Sequence, residues 1–295
     1  MERFSTNSIK LKPLGKIKSK FFYARNSMQM FAQNKKSELN GDFKRTANVT
    51  KHDYHAKLWK NVYDKKKWLE YDSILDFILD SKNPSDNEQT SYIDNKICKI
   101  SRSEYARFRK DILNFYINQY GNSSQTLVEL GCGWGLNLWT LLTDNYPKKL
   151  EGYELSENGL NTCKEIANHF QCDVKFEKID LTDHSTFPSL EKKSVFTFHV
   201  LEQLKHNTSK VIENILKSNP DSVIHFEPVP ELYSNSEHEK LVKQFIRYMD
   251  YQDNLLSTLQ KFEKDGKLII EESERLHFAA NPFFETCLIK WTPIT

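Results

Sequence analysis

Three glycines alternate with larger residues in the segment LVELGCGWGLNL, residues 127–138. The segment begins as a short apolar run and continues into a helical pattern, so the glycines lie where a buried strand gives way to a helix. Gly131, Gly133 and Gly135 can adopt a positive φ and bring the backbone close to a ligand. The spacing differs from the dinucleotide fingerprint G-x-G-x-x-G, and no G-x-x-x-x-G-K-[ST] phosphate loop is present.

Two carboxylates follow the glycine segment at the ends of the next two predicted strands. Glu154 lies 21 residues after Gly133, where a carboxylate can accept hydrogen bonds from both ribose hydroxyls of a nucleoside. Asp180, within KIDLTD, can accept a hydrogen bond from an adenine amino group. Each acid alone could equally be a turn or helix-cap residue. Together with the glycines they predict a nucleoside-binding crevice at the strand ends.

A second group of polar residues surrounds the ends of the fourth and fifth predicted strands. His199 ends one strand, and His225 and Glu227 share one face of the next. A positioned histidine is suited to remove a proton near neutral pH. We predict His199 as a general base and His225 as the second candidate, with Glu227 and Glu202 orienting the histidine or binding ligand hydroxyls. Local packing of His199 is one alternative, and a divalent metal on His199, His225 and Glu227 is another.

The elements that must position these residues follow from the alternation of strand and helix patterns after Gly121. Five strands are predicted at 126–130, 149–155, 173–180, 194–200 and 221–229, with helices after the first, second and fourth. A long polar helical stretch at 234–264 precedes two final strands, KLIIEESERLHFA and PFFETCLIKWT. The pattern predicts an α/β fold: a doubly wound, mostly parallel seven-stranded sheet with a C-terminal antiparallel hairpin.

The N-terminal part of the chain has a different pattern of predicted elements and charge. Two helices are predicted at 52–81 and 101–120, with a loop at 83–91. Residues 1–70 hold seventeen Lys and Arg against six Asp and Glu, which is typical of a solvated tail or of an arm that binds a polyanion. The predicted layout has a basic, weakly ordered arm at 1–50, a helical extension or lid at 51–121, and a ligand-binding domain at 122–295. Within that domain, 234–264 would form a helical insertion over the acceptor site.

Four segments, VELGCGWGLNL, GYELSENGL, KIDLTD and HVLEQL, resemble in order and spacing the class I S-adenosylmethionine-dependent methyltransferases over about residues 122–295. The resemblance implies a Rossmann-like methyltransferase fold, S-adenosylmethionine as cofactor and S-adenosylhomocysteine as product. By that resemblance the glycines face the methionine part, Glu154 binds the ribose, and Asp180 and the Leu181 backbone bind the adenine. The implied cofactor contacts are Glu129, Gly131, Cys132, Gly133, Gly135, Glu154, Leu155, Asp180, Leu181 and His199.

The chain departs from the family pattern at two places. The fourth strand begins with Ser194-Val195 where family members often have Asp, and LEQ follows where many carry LEH. The expected reaction is in-line methyl transfer to a small molecule or glycan, at a hydroxyl oxygen, with a histidine base. A sugar or small-molecule O-methyltransferase is the closest subclass. A protein or peptide methyltransferase is one alternative, and a catalytically inactive cofactor-binding regulatory or scaffold subunit is another.

Composition excludes several other classes of function. The net charge of +2 does not indicate nucleic acid, and neither [DN]-P-P-[FYW] after the fourth strand nor a cysteine between 173 and 286 is present. We therefore expect no nucleic-acid substrate. No apolar run approaches the ~18 residues of a membrane span, and the first residues lack a signal-like core, so a cytoplasmic location is expected. The five cysteines lack zinc-like spacing, which favours free thiols and no metal.

Overall fold

A computed structural model describes residues 12–15, 25, 55–79, 88–121, 124–144, 146, 148–234 and 236–294. Most of the basic arm expected at 1–50 lies outside these residues. The predicted order of that arm therefore stays a prediction.

A sheet of ten strands runs through the described part of the chain, in the order β1-β3-β2-β9-β10-β8-β7-β4-β5-β6. The strands are β1 Lys12–Pro13, β2 Glu88–Ile93, β3 Lys96–Ser101, β4 Thr126–Leu130, β5 Lys149–Glu154, β6 Val174–Lys178, β7 Lys193–Phe198, β8 Ser222–Glu227, β9 Leu268–Ala279 and β10 Thr286–Pro293. β4 to β8 pair in parallel, and β10 lies antiparallel between β8 and β9. The predicted fold class is confirmed.

Helices cover both faces of this sheet. They are α1 His55–Lys65, α2 Ile74–Ile78, α3 Arg102–Tyr120, α4 Leu136–Thr143, α5 Glu157–Phe170, α6 Thr208–Lys217, α7 Glu237–Tyr248 and α8 Leu255–Lys264. One buried apolar cluster joins the sheet to α3, α4 and α5, and a second joins it to α6, α7 and α8. The central parallel strands β4, β7 and β8 are therefore buried along most of their length, whereas the edge strand β6 is mostly exposed. None of these helices combines the length and the apolar composition of a membrane span.

The sheet has three strands more than the seven predicted. Residues 88–101, expected to be partly loop, form the hairpin β2–β3, whose turn residues Asp94 and Asn95 have φ of 51° and 58°. Tyr92 pairs with Ala279, so this hairpin extends the sheet beyond β9. The extension predicted as helical at 51–121 therefore also contains the two strands β2 and β3. The domain division at residue 121 stays a prediction.

Two predicted helix starts, at Ser101 and Ser156, are those that the structure has, whereas the single helix predicted at 52–81 is divided into α1 and α2. Ser101 caps α3 in a capping box, accepting from the Glu104 N–H while the Glu104 carboxylate accepts from the Ser101 N–H. Ser156 likewise caps α5 by accepting from the Gly159 N–H. These caps fix where α3 and α5 begin, and α5 begins beside β5, whose Glu154 lines the cavity described next.

Candidate functional site

The glycine loop after β4 has the backbone shape that only glycine adopts without strain. Gly131, Gly133 and Gly135 have φ of 76°, 58° and 84°. A Cβ added to Gly131 would lie 2.3 Å from Val200 Cγ2, and one added to Gly133 would lie 2.8 Å from the Trp59 ring. The prediction that side chains are excluded here is confirmed. The groups that exclude them are protein side chains, so the predicted close approach of this backbone to a ligand stays a prediction.

A cavity of about 780 Å³ opens at the carboxyl ends of the parallel strands. Nine of the ten predicted cofactor contacts line it, and Gly135 does not. The cavity is also lined by Trp59 of α1 and Arg109 of α3, so the N-terminal extension forms part of its wall. Parallel α/β sheets bind ligands at this edge, which makes the cavity the candidate site.

The two carboxylates at the ends of β5 and β6 are fixed by nearby backbone groups. The Glu154 Oε2 accepts from the Gly133 N–H at 2.8 Å, and its Oε1 accepts from the Ser156 N–H at 2.9 Å. The Asp180 Oδ1 accepts from the Thr182 N–H at 2.8 Å and from its hydroxyl at 2.7 Å. A carboxylate oxygen has two lone pairs, so Glu154 keeps acceptor capacity toward the cavity.

A chain of three polar side chains lies beside the glycine loop. Arg109 donates to the Asn137 side-chain oxygen, and Asn137 donates to Glu129 Oε1. Burial raises the pKa of Glu129 to about 8, although the bonds and charges of Asn137 and Arg109 act in the opposite direction. Glu129 Oε2 is buried and has no hydrogen-bond partner within the described structure. Such an oxygen is available to a ligand cation or donor.

His199 lines the cavity and has a constrained backbone. Its φ is 54°, and its N–H donates to the Phe226 carbonyl at 3.0 Å. Its Nε2 lies 2.8 Å from the Thr286 hydroxyl. Burial, and then the positive charge of Arg109, lower the pKa of His199 to about 3. The ring is therefore neutral at physiological pH and is a weak proton acceptor.

His225 lies in the core and does not line the cavity. Trp291 Nε1 donates to its Nε2 at 2.9 Å, so the proton is on Nδ1, which donates to the Thr197 hydroxyl at 2.9 Å. Burial lowers its pKa to about 3. With both nitrogens engaged, His225 has no position from which to act as a base or a metal ligand. The catalytic prediction for His225, and the metal alternative that includes it, are corrected on this geometry.

Glu202 and Glu227 form a buried carboxyl pair. Glu202 lines the cavity and is 2% exposed, whereas Glu227 lies behind it and accepts from the Val200 N–H at 3.1 Å. Burial and the neighbouring Glu227 charge raise the pKa of Glu202 well above its usual value, and burial raises that of Glu227. Two close carboxylates cannot both ionise easily, so the pair shares a proton. The Oε2 atoms of both residues lack a protein hydrogen-bond donor in the described structure.

Aromatic rings form one wall of the cavity beyond the glycine loop. The His199 ring lies 5.2 Å from the Phe198 ring and 4.7 Å from the Phe284 ring, and Tyr251 lies 5.1 Å from Phe284. The Arg109 guanidinium stacks over Phe198 at 4.4 Å. We call Phe198, His199, Phe284 and Tyr251 the aromatic wall. Sequence reasoning missed it, because its members are far apart in the chain.

The turn that carries Phe284 is held by a buried ion pair. Arg275 Nη2 and Nε donate to the two carboxylate oxygens of Glu285 at 2.7 and 3.1 Å. The Tyr233 hydroxyl donates to the Glu285 carbonyl at 3.1 Å. A two-pronged arginine–carboxylate bond fixes orientation as well as distance. The aromatic wall is therefore supported by rigid structure next to Phe284.

Comparisons with known proteins agree on the fold. No protein-family model and no curated protein matches the chain. A solved structure of geranyl diphosphate C-methyltransferase from Streptomyces coelicolor A3(2), in complex with Mg²⁺, geranyl diphosphate and S-adenosylhomocysteine, matches with a TM-score of 0.50 and 13% identity, over 65% of this chain and 82% of that one. The [4+2]-cyclase SpnF matches with a TM-score of 0.50 and 13% identity, over 74% and 90%.

This chain has the class I methyltransferase fold. At this level of identity the similarity concerns the fold alone, and one of the two neighbours is described as a cyclase. The predicted resemblance is thus confirmed for the architecture, whereas the chemistry must be argued from the cavity. Relative to that fold, the strands β1, β2 and β3 and the residues Trp59 and Arg109 come from the N-terminal extension.

Proposed function

We propose that the protein is an S-adenosylmethionine-dependent methyltransferase. The observation that carries the proposal is the cavity's arrangement of a positive-φ glycine loop, Glu154 and Asp180 at three successive strand ends. A nucleoside bound there meets carboxylate acceptors at its ribose and at its base. The positively charged sulfonium of the cofactor suits a cavity rich in carboxyl groups.

The methionine part of this cofactor carries one carboxylate and one ammonium, and the site beside the glycine loop offers a partner for each. The Arg109 guanidinium can donate to the carboxylate. Glu129 Oε2, which lacks a partner among the described residues, can accept from the ammonium. A bound ammonium favours the ionised form of Glu129 and lowers its pKa from about 8. Glu154 would hold the ribose, and Asp180 with the Leu181 backbone the adenine.

The cofactor supplies a methyl group bonded to a positively charged sulfur, and the protein supplies position and a proton acceptor. We propose a small-molecule acceptor that reacts through a hydroxyl oxygen at the end of the cavity lined by the aromatic wall. His199 and Glu202 both face this end. His199 was predicted as the base, but its low pKa favours an orienting and packing role. A polyhydroxylated glycan would find few polar partners along the aromatic wall.

Thermal unfolding with S-adenosylmethionine, S-adenosylhomocysteine, NAD and ATP in parallel tests the cofactor. A ligand at about 100 times its dissociation constant adds about 2.7 kcal/mol of stability, which raises the melting temperature. We expect a shift with the first two compounds only, lost in Glu154→Ala. The matched control is Glu177→Ala, which removes an exposed acid of β6 paired with Lys175 at 3.1 Å. A shift with NAD, or no shift with either sulfur compound, would refute the proposal.

A further inference from the structure

The acceptor end of the cavity combines flat apolar surfaces with one buried acid. We propose that the acceptor is a planar phenol, seated against the aromatic wall, whose hydroxyl proton passes to Glu202. This inference rests on the proposed function, because it specifies the substrate class of the same site.

The aromatic wall favours an aromatic ligand, because its rings lie at 33° to 61° to one another and can meet a ligand ring face-on or edge-on. Its rings follow one another at centroid distances of 4.7 to 5.2 Å, and Phe284 is fixed by the neighbouring ion pair of Arg275 and Glu285. Aromatic pairs contribute about 0.5–1.5 kcal/mol beyond the area that they bury. A ligand ring lying against this wall would gain that energy. The several hydroxyls of a sugar would instead lose water without equivalent partners.

Glu202 indicates what the ligand must carry. The side chain is 2% exposed and lines the cavity, and its Oε2 has no donor from the described protein. Glu227, packed behind it, is also an acid and therefore leaves that oxygen without a compensating cation. A buried carboxyl oxygen in this position gains most from a ligand O–H that points at it. The geometry therefore favours a planar molecule with one hydroxyl at its edge.

The acidity of the hydroxyl favours a phenol over an aliphatic alcohol. A phenol such as the tyrosine side chain has a pKa of about 10, whereas water has one of 15.7 and aliphatic alcohols are comparably weak acids. Glu202 lines the cavity, and its pair with Glu227 holds one proton, which leaves one carboxylate to accept the proton of the phenol. His199, whose pKa is lowered to about 3, is a poorer acceptor.

The proposed step balances in charge and electrons. A lone pair of the phenol oxygen forms the new O–C bond with the methyl carbon of S-adenosylmethionine. The C–S bond breaks, and its electron pair stays on sulfur, which becomes the neutral thioether of S-adenosylhomocysteine. The phenolic proton moves to the carboxyl pair, which holds one proton before the step and two after it. Water then removes the extra proton and restores the pair.

A matched pair of probes tests the substrate class. We would compare 2-naphthol with its saturated counterpart decahydro-2-naphthol, and with UDP-glucose, each added to the wild-type protein. S-adenosylhomocysteine release reports turnover, and the melting shift of the S-adenosylhomocysteine complex reports acceptor binding. We expect 2-naphthol to shift the melting temperature and to be methylated at least tenfold faster than the other two. Equal or faster reaction of decahydro-2-naphthol or UDP-glucose, or no shift with 2-naphthol, would overturn the inference.

Variants at Glu202 test the proton acceptor. Glu202→Gln should lower kcat about 100-fold or more, keep the melting shift with S-adenosylhomocysteine, and abolish the fall of kcat toward acidic pH. Glu202→Asp should restore part of the rate, and the exposed Glu177→Gln should leave it unchanged. A Glu202→Gln protein that keeps kcat within about threefold, with the same pH profile, would overturn the role.

Failure of the inference is distinguishable from failure of the proposed function. If S-adenosylmethionine does not stabilise the wild-type protein, the proposed function fails and the inference fails with it. If S-adenosylmethionine stabilises the protein while 2-naphthol neither binds nor reacts, only the phenol class is refuted.

Discussion

The two ends of the cavity differ in how the protein satisfies their carboxyl groups. At the end beside the glycine loop, where we propose that the cofactor binds, Glu154 accepts from the Gly133 and Ser156 N–H groups and Asp180 from Thr182, and Glu129 Oε2 is left for the ligand. At the acceptor end, Glu202 faces the cavity with an oxygen that no described residue satisfies. The first end is pre-organised for a fixed ligand. The second keeps a buried carboxyl oxygen without a hydrogen-bond donor, which is energetically unfavourable. Such strain is typical of a functional site whose polar groups are satisfied only when substrate binds.

The largest expected effect lies at the cofactor end. Gly131→Ala combines a strained φ of 76° with a Cβ 2.3 Å from Val200. Left-handed backbone costs about 1–2 kcal/mol and overpacking about 1–3 kcal/mol more, so stability and the cofactor-induced melting shift should both be lost. Gly266→Ala is the control, since its φ is 70° and nothing lies within 4 Å. Similar losses in both variants, measured by urea unfolding, would contradict a role for close packing against Val200.

His225→Leu should distinguish a structural role of His225 from a catalytic one. It leaves the Trp291 Nε1–H without its acceptor and removes the donor to the Thr197 hydroxyl, at a cost of about 1–3 kcal/mol in the free energy of unfolding. Turnover per folded molecule should stay unchanged. A large loss of kcat in a protein of near wild-type stability would reinstate His225 as a catalytic residue.

The same variant should change how stability depends on pH. The pKa of His225 is lowered to about 3 in the folded chain from 6.5, so the unfolded state binds the proton first. Its contribution is complete above pH 6.5 and is lost as pH falls from 6.5 toward 3, by up to about 1.4 kcal/mol per pH unit. Urea unfolding at pH 7, 6 and 5 should show a shallower decline for His225→Leu. Parallel curves would refute this assignment.

Arg109→Met should distinguish binding of the methionine part of the cofactor from binding of its nucleoside part. If Arg109 binds the methionine carboxylate, affinity for S-adenosylhomocysteine should fall about tenfold, or 1.4 kcal/mol. Affinity for 5′-methylthioadenosine, which lacks the carboxylate and the ammonium, should not change. Calorimetric titration of both ligands measures the difference. Equal weakening of the two would place Arg109 in support of the fold and not of the carboxylate.

The smallest effect should come from the acceptor end and have the opposite sign. Glu227→Gln keeps an acceptor for the Val200 N–H and removes one of two buried acids whose raised pKa opposes folding at neutral pH. Because these raised pKa values destabilise the fold above the unfolded pKa near 4.5, the variant should be about 1 kcal/mol more stable at pH 7 and no more stable at pH 4. A loss of stability at pH 7 would show that the pair is not under strain.

The cofactor end could be predicted from sequence because local pattern fixes it. Gly131, Glu154 and Asp180 each lie at or next to the end of a predicted strand, so the pattern that predicts the strand also places the residue. Arg109, on α3, has no such local signal. The hairpin β2–β3 was missed, although Asp94-Asn95 between SYI and KICKI is a two-residue turn signal. The aromatic wall and the roles of the two histidines could not be predicted. His225 is a core histidine because Trp291, 66 residues away, donates to its ring, and this contact distinguishes it from His199.

The pairing of Tyr92 with Ala279 also constrains the order in which the molecule can be built. The partners are about 190 residues apart, so β2 cannot pair with β9 until β9 has been synthesised. The same late segment brings Phe284 to the cavity, while Arg109 follows β2 and β3 on α3. A nascent chain that stops before β9 therefore holds the glycine loop but lacks Phe284 of the aromatic wall and the pairing that docks the hairpin β2–β3. A complete cavity wall therefore requires the residues that follow β9.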